Sequence, residues 1–413
     1  MKTDSAIIKR NAFWNSFGSI VYLGSQWLMT LLVVRMATNL DDAGCLNLAI
    51  SLTSVFGTLA AFNMRTYIIS DRNNLISSSE YAGFRICTCV VSFVCCLGYT
   101  AAFSYSSYQN AAIVLYLFIR LLEAVLDFVY AFEQKSERMD IGGKSMFARG
   151  LLSLASFAFS YGVFHDLCVS LVLVLLSYLV VFFFFDLPRS RPYCTLVPRC
   201  SKKYLILLRD GSLTTTTSFL SDLVVTYPRQ VIEQACGIAA LGAYASVAAP
   251  VVVAQVGISF IFNPLLPSLD KLYSSKCKKE YFRIIGKVVV SILVVFVAGL
   301  LLICLVGEPV LFALYGEEVS SYSYLLVTFL VAVCLNALQW FFRILLVMMR
   351  VFVPQLVVSI VTIILCVALS PVCVHQFGLI GANYVVVACY SFSTLFVLMS
   401  LIHASRQHFA EGR

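Results

Sequence analysis

The chain has 413 residues, 60% of them hydrophobic and only 12% charged, with a mean hydropathy of +0.91 and a formal net charge of +8. That is about half the ionisable content of a soluble protein, and a water-exposed surface cannot be built from it. The composition excludes a soluble globular fold, and apolar blocks such as Cys168 to Phe185 and Val288 to Val306 approach the ~20 residues that a membrane-spanning helix needs.

In chain order the blocks predict spans at 12–36, 44–64, 82–103, 109–132, 147–165 and 167–187, then at 205–227, 244–269, 284–307, 319–342, 353–373 and 379–402. Lys2, Lys9 and Arg10 precede the first, whose apolar stretch is too long and too often interrupted by polar residues for a cleaved signal peptide. The fifth and sixth are separated only by a tight His165-Asp166 turn. The seventh contains Asp222 and the run Thr214 to Thr217. The interval Val351 to Ser405 holds no Asp, Glu, Lys or Arg. As one helix it would measure ~80 Å against a hydrocarbon layer of ~30 Å, so it must turn back. Pro371 through Gly378 is the predicted turn. Ten or fourteen spans fit the same pattern; twelve is the favoured count.

The longest polar connection, Asp186 to Lys203 with Pro188, Pro192 and Pro198, predicts an all-α polytopic protein in two six-helix lobes around a central cavity. The bounds are 1–187 for the first lobe, 188–204 for a cytoplasmic linker and 205–413 for the second. Positive charge supports an even number of crossings with both ends cytoplasmic. Arg65, Arg72 and Arg85, then Lys135, Arg138, Lys144 and Arg149, then Arg189 through Arg209, then Lys271 through Lys287 all fall on one side. The other side offers chiefly Arg35 and Arg229 beside the acids Asp41, Asp42, Asp166, Glu308, Glu317 and Glu318. Basic loops against an anionic leaflet account for the net charge without nucleic acid.

Fifteen cysteines invite a metal or disulfide reading, but Cys87, Cys89, Cys95, Cys96, Cys304, Cys334, Cys366 and Cys389 fall inside predicted spans, where Cys packs as a small hydrophobe. No metal-ligand or nucleotide-binding spacing occurs, and no water-exposed segment is long enough for an ATPase domain, so no cofactor is expected. Energy coupling must come from ions, from the membrane potential or from substrate gradients. A membrane-embedded transferase would need a constellation of loop carboxylates or histidines, and Asp41 and Asp42 are too isolated to supply one.

The polar residues inside the spans carry the functional argument. Arg120, Glu123 and Asp127 fall at i, i+3 and i+7, on one face of the fourth span that cannot point at lipid. They form either the lining of a substrate or ion path or a structural Arg–Glu lock between helices. Asn336, Gln339 and Arg343 repeat that spacing in the tenth span. Asn15 and Gln26 share a face of the first, with helix-to-helix hydrogen bonding as the bland alternative, and Asp222 stands one turn from Thr226. Polar faces on the first, fourth, seventh and tenth spans are what a hydrated interior between two lobes would require.

Asn15-Ser16-Phe17-Gly18, Arg35 followed by Asp41-Asp42-Ala43-Gly44, and Asn63-Met64-Arg65 ahead of Asp71 resemble the bacterial Wzx-like polysaccharide flippases. These belong to the multidrug/oligosaccharidyl-lipid/polysaccharide exporter (MOP) superfamily. In the second half Tyr227-Pro228-Arg229 with Ala240 to Tyr244 is similar to that family's connection between helices seven and eight. Asn263 to Pro267 with Leu272-Tyr273 resembles its helix-eight exit, Gly307 to Leu311 running into Leu314-Tyr315-Gly316 its nine-to-ten loop, and Gly378 to Ala382 the entry to its last helix. The resemblance implies a twelve-helix carrier in the bacterial cytoplasmic (inner) membrane. Its cargo would be undecaprenyl-diphosphate-linked oligosaccharide, moved to the outer leaflet by alternating access, with membrane lipids and polysaccharide polymerase or assembly proteins as partners. Arg120 would receive phosphate, because an arginine fork matches its oxygens. Arg65 and Arg343 would make the first encounter, and Asn336, Gln339, Asn15 and Gln26 would complete the substrate site. Glu123, Asp127 and Asp222 would couple transport to protons or sodium. A multidrug or small-molecule exporter of the same superfamily is the alternative.

Overall fold

The computed structural model describes residues 2–37, 39–71, 75–262, 265–349, 351 and 353–410. Arg72, Asn263 and Pro264 lie outside these residues, as do the side chains of Lys2 and Pro267. Among the described residues twelve long helices follow one another. They are α1 (Lys2–Met36), α2 (Asp41–Ala61), α3 (Ser78–Ala102), α4 (Ser107–Lys135), α5 (Met139–Phe164), α6 (Leu167–Val181), α7 (Tyr204–Cys236), α8 (Ile238–Phe262), α9 (Lys278–Tyr315), α10 (Leu325–Met348), α11 (Val353–Phe377) and α12 (Leu379–Ala410). A π-helical turn, Phe182–Asp186, and the short stretch Leu187–Ser190 continue α6; Met64–Ser70, Leu266–Ser274 and Glu317–Ser320 are short helices between the long ones. Nine helical segments of the described residues are long and apolar enough to cross a membrane. Of the long helices outside that set, α4 is diluted by its charges and α7 by its threonines and Asp222, while α8 is apolar over Ile238–Val251. The chain is an all-α multi-pass membrane protein.

Three helices run further than the sequence predicts. Tyr227-Pro228-Arg229 is not a connection: α7 continues through Pro228 to Cys236, so Arg229 lies in a helix and not in an outer loop. Likewise α9 continues through Pro309 to Tyr315, and α11 passes Pro371 and ends at Phe377. A proline removes one helical hydrogen bond, but within a membrane the freed carbonyl is re-satisfied locally and the helix persists. What ends these helices is glycine in the left-handed region, at Gly237 (φ 88°), Gly316 (φ 91°) and Gly378 (φ 64°). The His165 turn between α5 and α6 is as predicted, with φ 50°.

Two compact units divide the chain, Met1–Phe219 and Leu220–Arg413. In the first, α1 lies along α5, and glycine makes the close approach possible. A Cβ built on Gly18 would sit 1.9 Å from the Gly143 carbonyl oxygen, and one on Gly143 would sit 2.3 Å from that of Trp14. The α4 helix packs between α2 and α6. The segment after α6 is fastened to the start of α3: Arg199 N–H donates to Ser79 O (3.0 Å), and Lys203 Nζ pairs with Glu80 (3.1 Å). Cys194 and Leu207 are buried in the same core as Phe84 and Phe128. The boundary between the units therefore falls inside α7, beyond the 188–204 connection. Burial also pushes the Cys194 thiol up to about 11.

In the second unit α12 packs on α10 and α11, and α10 also meets α8 and α9. Tyr244 O–H donates to Asn383 Oδ1 (2.6 Å), and Asn383 Nδ2 donates to Thr328 Oγ1 (2.7 Å), which ties α8, α12 and α10 together. Cys366 and Cys389 are fully buried there as packing residues.

The glycine crossing yields a stability prediction. Gly143→Ala drives a methyl into the α1 backbone and should destabilise the detergent-solubilised protein by about 1–3 kcal/mol. Gly24→Ala, with nothing within 4 Å of its Cβ, should not. Thermal melts of both variants beside the wild type check it.

Candidate substrate and ion cavity

The α4 face holds the polar cluster that its spacing predicts. Arg120, Glu123 and Asp127 line one cavity of about 310 Å³ together with Ser54, Gly57, Thr58 and Ala61 of α2 and Ala124 of α4. Arg120 Nη1 donates to Glu123 Oε2 at 2.8 Å, and its guanidinium lies 5.4 Å from the centre of the Tyr116 ring. Asp127 has its own partners. Arg65 Nη1 pairs with it at 3.0 Å and Arg85 Nη2 at 3.8 Å, while Arg65 Nε and Nη2 bind Gln134 Oε1 at 3.0 and 2.8 Å.

A local break in the chain explains how these arginines arrive. Phe62 (φ 47°) and Asn63 (φ 48°) are left-handed, which ends α2 and turns the helix Met64–Ser70 so that Arg65 reaches α4. Each such residue costs about 1–3 kcal/mol when it is not glycine. The Ala60 carbonyl freed by the break accepts from Arg85 and, at 2.9 Å, from Thr88 Oγ1.

A tyrosine cage backs Glu123. Tyr22 O–H donates to Glu123 Oε1, Tyr178 O–H reaches the same oxygen at 3.3 Å, and the two hydroxyls are 2.8 Å apart. Gln26 Nε2 donates to Tyr178 (2.9 Å) and its Oε1 accepts from Tyr116 (3.4 Å), so Gln26 is the helix-to-helix hydrogen bond of the bland reading. Asn15 sits where Gly143 crosses α1, away from the cavity lining. Arg149 groups with the loop cations in the charge pattern of the sequence. It is instead 3% exposed on α5, with its guanidinium 5.0 Å from the Tyr22 ring centre, 5.1 Å from Tyr178 and 5.8 Å from Tyr130. No spacing rule marks it; the signal available was a cluster of tyrosines on several helices. Four guanidinium groups (Arg65, Arg85, Arg120, Arg149) thus surround two carboxylates, Glu123 and Asp127.

In the second unit Arg343 is held across three helices. Its Nη1 donates to Ser221 Oγ of α7 (2.7 Å) and its Nη2 to Ser359 Oγ of α11 (3.1 Å). Gln339 donates to Ser393 Oγ of α12, and Asn336 is half-buried on the same helix. Asp222 and Arg343 both lie in electrostatic range of Tyr390. Among the described residues no group of three or more His, Cys, Asp or Glu side chains could hold a metal ion.

No protein-family model matches the chain. The capsular polysaccharide biosynthesis protein CapF of Staphylococcus aureus is 24% identical over 307 residues, which span 73% of this chain and 76% of CapF. Solved structures match nearly the whole length. A mutant of the Vibrio cholerae MATE transporter VcmN superposes with a TM-score of 0.65 at 12% identity, over 98% of this chain and 99% of that one. An inward-facing multidrug resistance MATE family transporter of the MOP superfamily gives 0.66 at 12% identity, over 94% and 99%. A MOP superfamily transporter from Pyrococcus furiosus, described by a reverse polarity of its binding pocket that suggests a different function, gives 0.57 at 13% identity, over 96% of both chains. The chain has the fold of MOP superfamily transporters.

The pairing on α4 makes Arg120 and Glu123 interdependent. A double-mutant cycle of Arg120→Ala and Glu123→Ala should give a coupling energy of about 0.5–3 kcal/mol in thermal or denaturant unfolding. Additive losses would mean that the two side chains act separately.

Proposed function

We propose that the chain is an alternating-access flippase that carries a lipid-linked oligosaccharide diphosphate from the cytoplasmic to the outer leaflet of a bacterial cytoplasmic membrane. The observation that carries this reading is the excess of guanidinium over carboxylate around the cavity of the first unit, where Arg65, Arg85, Arg120 and Arg149 face Glu123 and Asp127. Such an excess suits an anionic cargo, and a cationic drug would meet repulsion there. The likeness to CapF, named for capsular polysaccharide biosynthesis, supports the same substrate class. In this reading Arg120 exchanges Glu123 for a phosphate oxygen. Arg65 and Arg343 attract the headgroup and Asn336 offers hydrogen bonds to sugar hydroxyls, whereas Gln26 and Gln339 are engaged between helices and Asn15 lies away from the cavity lining. Glu123, Asp127 and Asp222 respond to protons or sodium. Both termini are cytoplasmic, and polymerase or assembly proteins take the cargo onward.

The second reading is a multidrug or small-molecule exporter. Solved structures of this fold are named as MATE and multidrug transporters, and by name they back that reading more than the first. The two differ in what Arg120 does. Binding of undecaprenyl-diphosphate-oligosaccharide to purified protein should weaken at least about tenfold in Arg120→Lys, which keeps the charge for Glu123 but loses the bidentate fork. Arg120→Ala should weaken it further. Equal lipid affinity in all three proteins, with saturable binding of an organic cation, would favour drug export instead.

Topology is tested separately. In a cysteine-depleted background the exposed position Cys200 and an exposed Lys278→Cys should label from the cytoplasmic face, and Glu317→Cys from outside. Labelling of position 278 from outside in intact cells would reverse the orientation.

A further inference from the structure

Two carboxyl groups of the first unit take no part in the cavity. Glu133, near the end of α4, is fully buried, and neither of its oxygens is in a hydrogen bond. Asp186 is fully buried at the end of the π-helical turn that continues α6. That widened turn shifts the register, so that Phe183 and Phe184 face outward, 54% and 78% exposed, while Asp186 faces the helices. Asp186 Oδ2 accepts from Ser145 Oγ (2.9 Å), whose oxygen in turn accepts from Tyr130 O–H (2.6 Å), and Asp186 Oδ1 has no partner. Glu133 and Asp186 lie within electrostatic range of one another.

The surrounding charges are already engaged or out of bonding reach. On the α4–α5 turn Arg138 is bound to Asp140 (2.9 Å) and to Tyr193 (3.1 Å). Asp140, itself in range of Glu133, is also paired with Arg10 and Lys144, each at 3.6 Å. On α5, Arg149 faces its three tyrosine rings, and its Nε and Nη1 bond nothing. Beyond the π turn, Arg189 lies 3.9 Å from the Phe185 ring centre. The Cys194 thiol faces Glu133 from the connection after α6, and the Gly142 N–H faces it from the first turn of α5. The Gly142 N–H and the Tyr130 hydroxyl are the nearest donors, yet Glu133 Oε1 and Oε2 and Asp186 Oδ1 complete no hydrogen bond of normal geometry.

We propose that Glu133 and Asp186 form a proton-binding pair at the basic end of the first unit, sharing a proton that one or the other carboxyl carries. Two ionised carboxylates buried together would each lose their hydration and repel one another. A proton on one removes that repulsion and leaves one buried charge in place of two. The hydroxyls of Ser145 and Tyr130 continue the hydrogen-bonded chain from Asp186 toward Arg149, and Arg149 also faces the Tyr22 and Tyr178 that hold Glu123. On the transporter reading, a proton held by this pair changes the charge that Arg149 feels and, through Arg149, the field at the cavity. The binding of the proton itself depends on no cargo.

The test is infrared difference spectroscopy on purified full-length protein in phosphatidylglycerol-containing vesicles, titrated from mildly acidic to mildly alkaline pH. The wild type should show the carbonyl stretch of a protonated carboxylic acid that fades as pH rises. Glu133→Gln and Asp186→Asn should each lose or shift that band, while melting no lower than the wild type, because an amide mimics the protonated acid. An unchanged band in both variants would overturn the proposal, as would its absence in the wild type. Collapse of stability in both amide variants would also overturn it, since the carboxyls would then be ionised structural anchors. No substrate enters the measurement, so failure of the flippase reading leaves this result intact; failure of the proton pair would weaken the charge argument for that reading, which the lipid-binding measurement tests on its own.

Discussion

The first unit depends on one constraint: a charge inside apolar surroundings persists only with a partner in contact. Charged side chains at membrane depth are expensive, and removing one member of a partly buried pair leaves the other uncompensated. Arg120 and Glu123 close on each other within a single helix, so that lock needs no other helix to form. Asp127 recruits its arginines from elsewhere, Arg65 from the helix after the α2 break and Arg85 from α3. One carboxylate therefore ties three helical segments together. The strained residues Phe62 and Asn63 are the conformational consequence.

The same pairs that hold the unit together also define what its cavity can bind. An arginine already paired with glutamate can turn to an incoming anion only if the glutamate keeps another cation in range, and Arg149 is in range of Glu123. An isolated arginine would first have to be buried alone. Binding of a phosphate at Arg120 would release Glu123 to its two tyrosines, Tyr22 and Tyr178. A charge change at the cavity then passes into α1 and α6, the helices that carry those tyrosines. Such a linkage between ligand and helix position is the kind of two-state element that transport by alternating access requires.

Much of this was legible in the sequence, and the residues show why. The i, i+3, i+7 spacing of Arg120, Glu123 and Asp127 is a local property of one helix, and the three do line one cavity. The Arg65–Asp127 pair, the Arg85 contact and the Arg149 cage join residues far apart in sequence, and no helical period encodes them. Arg149 was misplaced for a second reason. A charge count along loops assigns a basic residue near a predicted helix start to the surface, whereas α5 begins at Met139 and carries Arg149 well inside. Prolines misled in the same way at Pro228, Pro309 and Pro371, because the rule that proline ends a helix belongs to water, where the broken bond can be hydrated and the chain can turn.

The charge balance of the first unit then turns on Glu133 and Asp186. If both were ionised, the four guanidinium groups of Arg65, Arg85, Arg120 and Arg149 would be matched by the carboxylates Glu123, Asp127, Glu133 and Asp186, and the interior would offer an anion no net attraction. With a proton shared between Glu133 and Asp186, the excess positive charge that suits a diphosphate is restored. Loss of that proton weakens the attraction through a low-dielectric interior, where charge interactions reach further than in water. On the proposed reading, proton occupancy at one end of the unit and anion affinity in its cavity are linked, and by reciprocity a bound anion strengthens the hold on the proton.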